Sequence, residues 1–430
     1  MELGKIIIKG GRRLTGKVKI SGAKNAALPI LAATILIPEK ITLTNLPSLL
    51  DIQTMFEVLN ELGANSEIGV EEVTVNTADL NKYEAPYEQV RRMRASAVVM
   101  GALLARFGKA YVPLPGGCNI GSRPINIHLD GLSKLGANIA LEKGYVKLSA
   151  KRLKGAEIYL DFPSVGATEN LMMAACAAIG ETIIDNAAKE PEIIALADFL
   201  NKAGAEISGA GSDIIKIIGV KELKSTTYRI IPDRIETGTY IIAAAITKGD
   251  ILIEGAEFDH LHTVVTKLEE AGVIFEKKDS QMRVHVKKEL SPVNIRTMPY
   301  PGFPTDIQAQ FMALMCLIEG MSVIIESIFE NRFMHVGELC RMGADIKVDN
   351  HTAIVRGVKS LSGTEVNATD LRASAALILA GLAAKGETQV SGIHHLDRGY
   401  EYMEEKLTKL GAQIKRIHSK EILSEGENYD

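Results

Sequence analysis

The stretch IQTMFEVLNELGA (residues 52–64) sets the architecture, because it is one of six of its kind. An amphipathic run ends in Leu, Ala or Met, then glycine, then a small residue. The same ending recurs as KLGA at Gly136, KAGA at Gly204, EAGV at Gly272, RMGA at Gly343 and KLGA at Gly411, with successive glycines 73, 68, 68, 71 and 68 residues apart. A helix that stops on a left-handed residue favours glycine there. Six such stops at one period indicate a repeated unit.

Each unit also holds an earlier helix of another kind: KNAALPILAATIL, RASAVVMGALLARF, ATENLMMAACAAI, RIETGTYIIAAAI, TDIQAQFMALMCLI and RASAALILAGLAA. These are apolar or small nearly all round, so they are expected to be buried on every side. They are too short to span a bilayer. Short Val/Ile/Thr runs with turn residues, such as EVTVN, YVKLSA, ILIEG and TQVSG, supply strands. The expected fold class is therefore α/β, built from six small α+β modules of about 70 residues, with apolar helices inside and sheets outside. Two lobes are expected: residues 23–231 carry modules one to three, while 1–22 and 232–418 form a discontinuous lobe of modules four to six. The leading strands KIIIKGG and GKVKI are expected to pair with the last module, and 419–430 reads as a polar, frayed tail.

Composition excludes several classes. The chain has 430 residues, 46% hydrophobic, with a formal net charge of −4 and an isoelectric point near 6.2. That balance argues against a general polyanion-binding surface, so no nucleic-acid partner is expected. The opening MELGKIIIKGGRRL lacks the long apolar core of a secretion signal, and no apolar run reaches membrane-spanning length, so a cytoplasmic protein with no membrane partner is expected. Cys118, Cys176, Cys316 and Cys340 form no CxxC pair or Cys/His cluster, which fits reduced thiols and no metal site.

The informative charges stand where helices disfavour them. Lys24, Arg94, Arg234 and Arg372 open apolar helices, against the helix dipole. A bound anion would reconcile cation and dipole, and pairing with carboxylates is the alternative. A second loop repeats the pattern in each module, with Asp51, Arg123, Glu192, His260, Arg332 and Arg398 lying 11 to 13 residues before the glycine. Charges at matching module positions converge if the modules pack about an axis, giving a cleft for a highly anionic small molecule.

The segments SGAKNAALPILAA, VRRMRASAVVMGALLARFG, LPGGCNIGSRPINIHLDGLSKLGA, NAAKEPEI, PGFPTDIQAQF, ESIFENRFMHVGEL, DLRASAALILAGL and HLDRGYEYMEEKL together resemble the UDP-N-acetylglucosamine 1-carboxyvinyltransferases, the enolpyruvyl transferases of peptidoglycan synthesis. The resemblance spans nearly the whole chain. It implies a two-lobed inverse α/β barrel of six modules, phosphoenolpyruvate and UDP-N-acetylglucosamine as substrates, phosphate as co-product, and no metal or organic cofactor.

The same resemblance implies the site. Lys24, Arg123 and Arg398 would hold phosphate, and Arg332, Arg372 and Arg398 would contact the carboxylate side of phosphoenolpyruvate. Asn25 and Asp306 would contact the sugar, with Asp306 taking the 3′-OH proton. PTDIQAQF is also good capping sequence, so the residues alone leave Asp306 between helix cap and base. Arg94, Arg123, Pro124, Ile125, Asn126, Ser164, Val165, Gly166 and Ile328 would line the nucleotide-sugar site. Cys118, on a glycine-rich loop before Arg123, would donate a proton to phosphoenolpyruvate C3, and the loop would close over bound sugar nucleotide. The resemblance also makes Cys118 the thiol alkylated by fosfomycin. His128, His394 and His395 are expected in structural hydrogen bonds rather than proton transfer. Asp51 and Asp370 are expected to orient a cation, with a secondary proton-transfer role open to Asp370, and Cys176 is expected in the core. Alternatives are shikimate-pathway enolpyruvyl transfer (EPSP synthase), a UDP-N-acetylglucosamine sensor without turnover, and, least favoured, a cysteine hydrolase.

Overall fold

The computed structural model describes residues 4–69, 71–92, 96–114, 125–278 and 280–418. Its described residues gather into two compact units, one holding those between 22 and 231 and the other those in 4–21 and 232–418.

All six glycine stops are helix ends of one design. Gly63, Gly136, Gly204, Gly272, Gly343 and Gly411 have φ between 93° and 109°. At each, the glycine N–H donates three residues back and the next N–H donates five back, as in Gly63 to Asn60 and Ala64 to Leu59. Both bonds satisfy helix carbonyls that would otherwise end without partners.

The helix closed by each of the first five glycines joins a strand to a hairpin, and the sixth joins Glu387–Ser391 to the single strand Gln413–Ile417. Lys40–Thr44 precedes helix Leu50–Leu62, and Asn65–Ile68 and Glu72–Asn76 follow it. The second hairpin strand lies against the first strand, antiparallel, and a parallel edge strand completes the other side, giving the order Thr227–Arg229, Lys40–Thr44, Glu72–Asn76, Asn65–Ile68. This order recurs in all six sheets, except that in the second module the edge strand is reduced to the bridge between Glu84 and Tyr111, and in the sixth Lys5–Lys9 takes the place of the second hairpin strand. Burial alternates along strands such as Glu181–Asp185, so one face meets the helices and the other meets water.

The apolar helices occupy the interior of each unit. Lys24–Ala33, Val99–Phe107 and Val165–Ala175 lie in one, and Arg234–Ile246, Thr305–Met315 and Leu371–Ala383 in the other, where all three touch one another. Their small residues permit close approach. A Cβ on Gly101 would lie 2.1 Å from the Asn170 carbonyl oxygen. The second apolar run begins its described part as a 3₁₀ turn, Ser96–Val98, before the α-helix.

The leading strands divide their pairing. Lys5–Lys9 lies between Glu387–Ser391 and Gln413–Ile417, in the last module. Thr15–Lys19, however, runs parallel to Asp250–Glu254 in the fourth, contrary to the expectation that both strands join the last. In four modules the edge strand comes from the segment just before the core helix. For modules one and four that rule is exchanged: Thr227–Arg229 serves the first and Thr15–Lys19 the fourth. Each half thereby completes its sheets with chain from the far end of the repeat.

Candidate active site

Asp306 lies in the first turn of helix Thr305–Met315, whose N-cap is Pro304 without a side-chain capping bond. The capping alternative is therefore not realised. Instead its two carboxylate oxygens accept from Arg332 Nη2 at 2.8 Å and Arg372 Nη2 at 2.7 Å. Both arginine side chains are only 5% exposed, against 29% for the aspartate. A carboxylate held between two buried guanidiniums has one defined orientation and keeps an accessible edge. Burial alone would lower the Arg372 pKa, but the charge and hydrogen bond of Asp306 raise it above its ordinary value.

Asp370 caps helix Leu371–Ala383 by accepting from the Arg372 and Ala373 amides. It thus places the first turn from which Arg372 projects. Glu326 was not singled out from sequence. Its buried carboxylate accepts from the Thr297 hydroxyl at 2.8 Å, the Thr305 hydroxyl at 2.9 Å, and the amides of Ile328 at 2.9 Å and Phe329 at 3.2 Å. It fixes the Ile328 loop to the start of the Asp306 helix. The Phe329 ring in turn lies 5.5 Å from the Arg332 guanidinium. His335, also overlooked, is buried with Nε2 unpartnered, and burial pushes its pKa down to about 4. Arg398 closes the 3₁₀ helix Ile393–Arg398, half-buried, with the ring centroids of His394 and His395 4.0 Å apart and their planes tilted by 39° in the same segment.

In the other unit, Lys24 opens its helix and lies 3.2 Å from Asp51, in the first turn of helix Leu50–Leu62, with both side chains largely buried. Carboxylate pairing thus occurs at Lys24 and at Arg372, as the alternative to a bound anion foresees. Asn25 follows Lys24 on the same turn, half-buried. Ser164 caps helix Val165–Ala175 through the Ala167 amide, setting Val165 and Gly166 at its start. Ile125 and Asn126 begin helix Asn126–Lys134, on which His128 faces Gly166: a Cβ there would meet the imidazole at 3.1 Å. His128 Nδ1 is 3.0 Å from Asn170 Nδ2, so it accepts and the ring is neutral. Burial lowers its pKa to about 4. The structural role expected of His128 is what its partners give it. Cys176 is buried, with its thiol pushed up to about 12 by desolvation, as expected of a core residue. Arg94, Cys118, Arg123 and Pro124 lie outside the described residues.

Among the described residues no cluster of His, Cys, Asp and Glu could hold a metal ion. No described helix is long and apolar enough to cross a membrane.

A paired acid clamped by buried arginines on six-module α/β scaffolding defines a class that comparison with known proteins makes explicit. The sequence profile of EPSP synthase (3-phosphoshikimate 1-carboxyvinyltransferase) matches residues 8–407. A UDP-N-acetylglucosamine 1-carboxyvinyltransferase of Geobacter metallireducens is 58% identical over 96% of this chain and 100% of its own. One from Carboxydothermus hydrogenoformans, named as the second of its kind, is 55% identical over 96% of this chain and 99% of its own. Among solved structures, the enolpyruvyl transferase NikO of Streptomyces tendae superposes with a TM-score of 0.88 at 28% identity, covering 97% of this chain and 100% of its own. EPSP synthase of Acinetobacter baumannii gives 0.74 at 19% identity over 96% and 100%, which is likeness of fold. The chain belongs to the EPSP synthase family of enolpyruvyl transferases and, within it, to the group of the UDP-N-acetylglucosamine 1-carboxyvinyltransferases.

Proposed function

We propose that the protein transfers the enolpyruvyl group of phosphoenolpyruvate to the 3′-OH of UDP-N-acetylglucosamine, releasing phosphate, the first committed step of peptidoglycan synthesis. The observation that carries this reading is the 58% identity, over 96% of this chain, with a relative bearing that name. The chemistry is addition followed by elimination. A proton goes to the methylene C3 of phosphoenolpyruvate, the sugar oxygen bonds to C2, and the hydroxyl proton leaves to a base. The tetrahedral adduct then loses phosphate from C2 and a proton from C3, restoring the double bond.

The anionic groups need fixed cations throughout, because preorganised charge costs no reorganisation as the adduct forms. In this reading Lys24, Arg123 and Arg398 hold phosphate, and Arg332, Arg372 and Arg398 face the carboxylate side. Asp306 takes the 3′-OH proton: its bond pair with Arg332 and Arg372 orients it while leaving an edge accessible. Cys118 supplies the proton to C3 and is the site of fosfomycin alkylation. Asn25, Arg94, Pro124, Ile125, Asn126, Ser164, Val165, Gly166 and Ile328 contact the sugar nucleotide. We place the enzyme in the cytoplasm.

The test is phosphate release from phosphoenolpyruvate with and without UDP-N-acetylglucosamine, for wild type and Cys118→Ala. Release that requires the sugar nucleotide and falls at least a hundredfold in the variant is expected. Fosfomycin added with UDP-N-acetylglucosamine is expected to add its mass to wild type and not to Cys118→Ala. The match to the EPSP synthase profile favours one second reading, transfer to shikimate 3-phosphate. Thermal protection by shikimate 3-phosphate but not by UDP-N-acetylglucosamine would establish it instead.

A further inference from the structure

Helix Val165–Ala175 carries an asparagine near its centre, Asn170, that is 0% exposed. A buried carboxamide is unfavourable unless its oxygen and its nitrogen both find partners. Here both do. Asn170 Oδ1 accepts from the Gly101 amide at 2.7 Å, in core helix Val99–Phe107. Its Nδ2 donates to the Ala97 carbonyl at 2.8 Å and, one turn back in its own helix, to the Gly166 carbonyl at 3.3 Å. The same nitrogen lies 3.0 Å from His128 Nδ1, in helix Asn126–Lys134. One side chain therefore joins three helical segments of its unit.

The directions of these bonds are fixed by chemistry. The Gly101 N–H can only donate, so it decides which end of the carboxamide is oxygen. The nitrogen end then faces His128, whose Nδ1 must accept, and the one proton of the neutral ring sits on Nε2. That edge of the ring lies on the turn capped by Ser164: a Cβ on Gly166 would come 3.1 Å from His128 Cε1 and 3.4 Å from Nε2. The packing leaves no slack around the asparagine. A Cβ on Gly101 would lie 2.1 Å from the Asn170 carbonyl oxygen, and one on Gly131 would lie 2.6 Å from Leu171 Cδ1.

We propose that Asn170 is a positioning residue for the sugar nucleotide: it holds the Gly166 turn and the His128 ring in one arrangement, so that Asn126 and Ser164, Val165 and Gly166 present a single preformed surface. This rests on the function proposed above. Preformed contacts cost no ordering when ligand binds, so loosening them weakens binding of that ligand first.

The experiment measures phosphate release with each substrate varied in turn, alongside thermal unfolding. Asn170→Asp keeps the size and the acceptor for Gly101 but sets an oxygen against the Ala97 and Gly166 carbonyls. His128→Phe keeps a ring on Gly166 and removes only the acceptor, leaving Asn170 Nδ2 two carbonyls for its two protons; it carries the test if Asn170→Asp does not fold. The KM for UDP-N-acetylglucosamine is expected to rise about tenfold in Asn170→Asp and about threefold in His128→Phe, with kcat and the KM for phosphoenolpyruvate within twofold of wild type. Equal rises in both KM values, or a lowered melting temperature with both KM values unchanged, would overturn the proposal and leave the carboxamide a purely structural group. If wild type binds UDP-N-acetylglucosamine but releases no phosphate, the functional reading alone fails, and positioning is read from the Kd in calorimetry. A weaker Kd in His128→Phe would then support it, and an unchanged Kd, or no binding by wild type, would sink it.

Discussion

His128 and His335 are held neutral by burial, each with its pKa lowered to about 4 from an ordinary 6.5. The unfolded chain binds protons at these sites between pH 6.5 and 4, where the folded chain does not. Folded stability is therefore fully present above about pH 6.5 and declines as pH falls towards 4, by up to roughly 1.4 kcal/mol per pH unit for each histidine. His128→Gln keeps an acceptor for Asn170 and removes one of the two protons. Denaturant titrations at pH 7.5, 6 and 5 are expected to show a shallower acid loss in the variant, and an unchanged slope would contradict the buried neutral assignment. The His128 tautomer was invisible in sequence because it depends on Asn170, 42 residues away.

The glycine-closed helices allow a sharper test within one element. Gly337 lies inside helix Val336–Arg341 and Gly343 just beyond it at φ 96°, and a Cβ on either would meet nothing within 4 Å. With no steric contact, only backbone preference remains. Gly337→Ala is expected to stabilise by roughly 0.5–1 kcal/mol, because alanine is the better helix former. Gly343→Ala is expected to destabilise by about 1 kcal/mol, because a side chain opposes the left-handed conformation. Opposite shifts in melting temperature would confirm the pair, and shifts of the same sign would show that the helix end is not held left-handed in solution. These stops were legible in sequence, since glycine supplies a conformation no other residue adopts freely.

The exchange of edge strands has a consequence for how the chain can be cut. Residues 22–231 contain every strand of their own sheets, whereas 232–418 lack Lys5–Lys9, a central strand with Ile6 and Ile8 fully buried, and Thr15–Lys19. We expect 22–231 to fold alone with a cooperative transition. We expect 232–418 to be insoluble unless 1–21 is co-expressed. Cooperative folding of 232–418 without the leading segment, seen by circular dichroism and calorimetry, would refute this division.

What sequence could establish was whatever local chemistry dictates: six modules from their glycine stops, buried helices from their all-round apolarity, and charges at helix starts that need a partner. Resemblance added which of those charges to watch. Pairing was a different matter, because the strand GKVKI carries nothing that distinguishes the fourth module from the sixth. That choice is made by which sheet edge has an unfilled row of hydrogen bonds. The same holds at the site. Asp306 is compatible as a cap or as a clamped acid until Arg332 and Arg372 arrive from 26 and 66 residues away. Glu326 shows no local signal, for its importance lies entirely in what burial brings within reach of its carboxylate. Local conformation follows from each residue's own backbone and side chain, whereas partners across the chain are chosen only when the core closes and every buried polar group must find one.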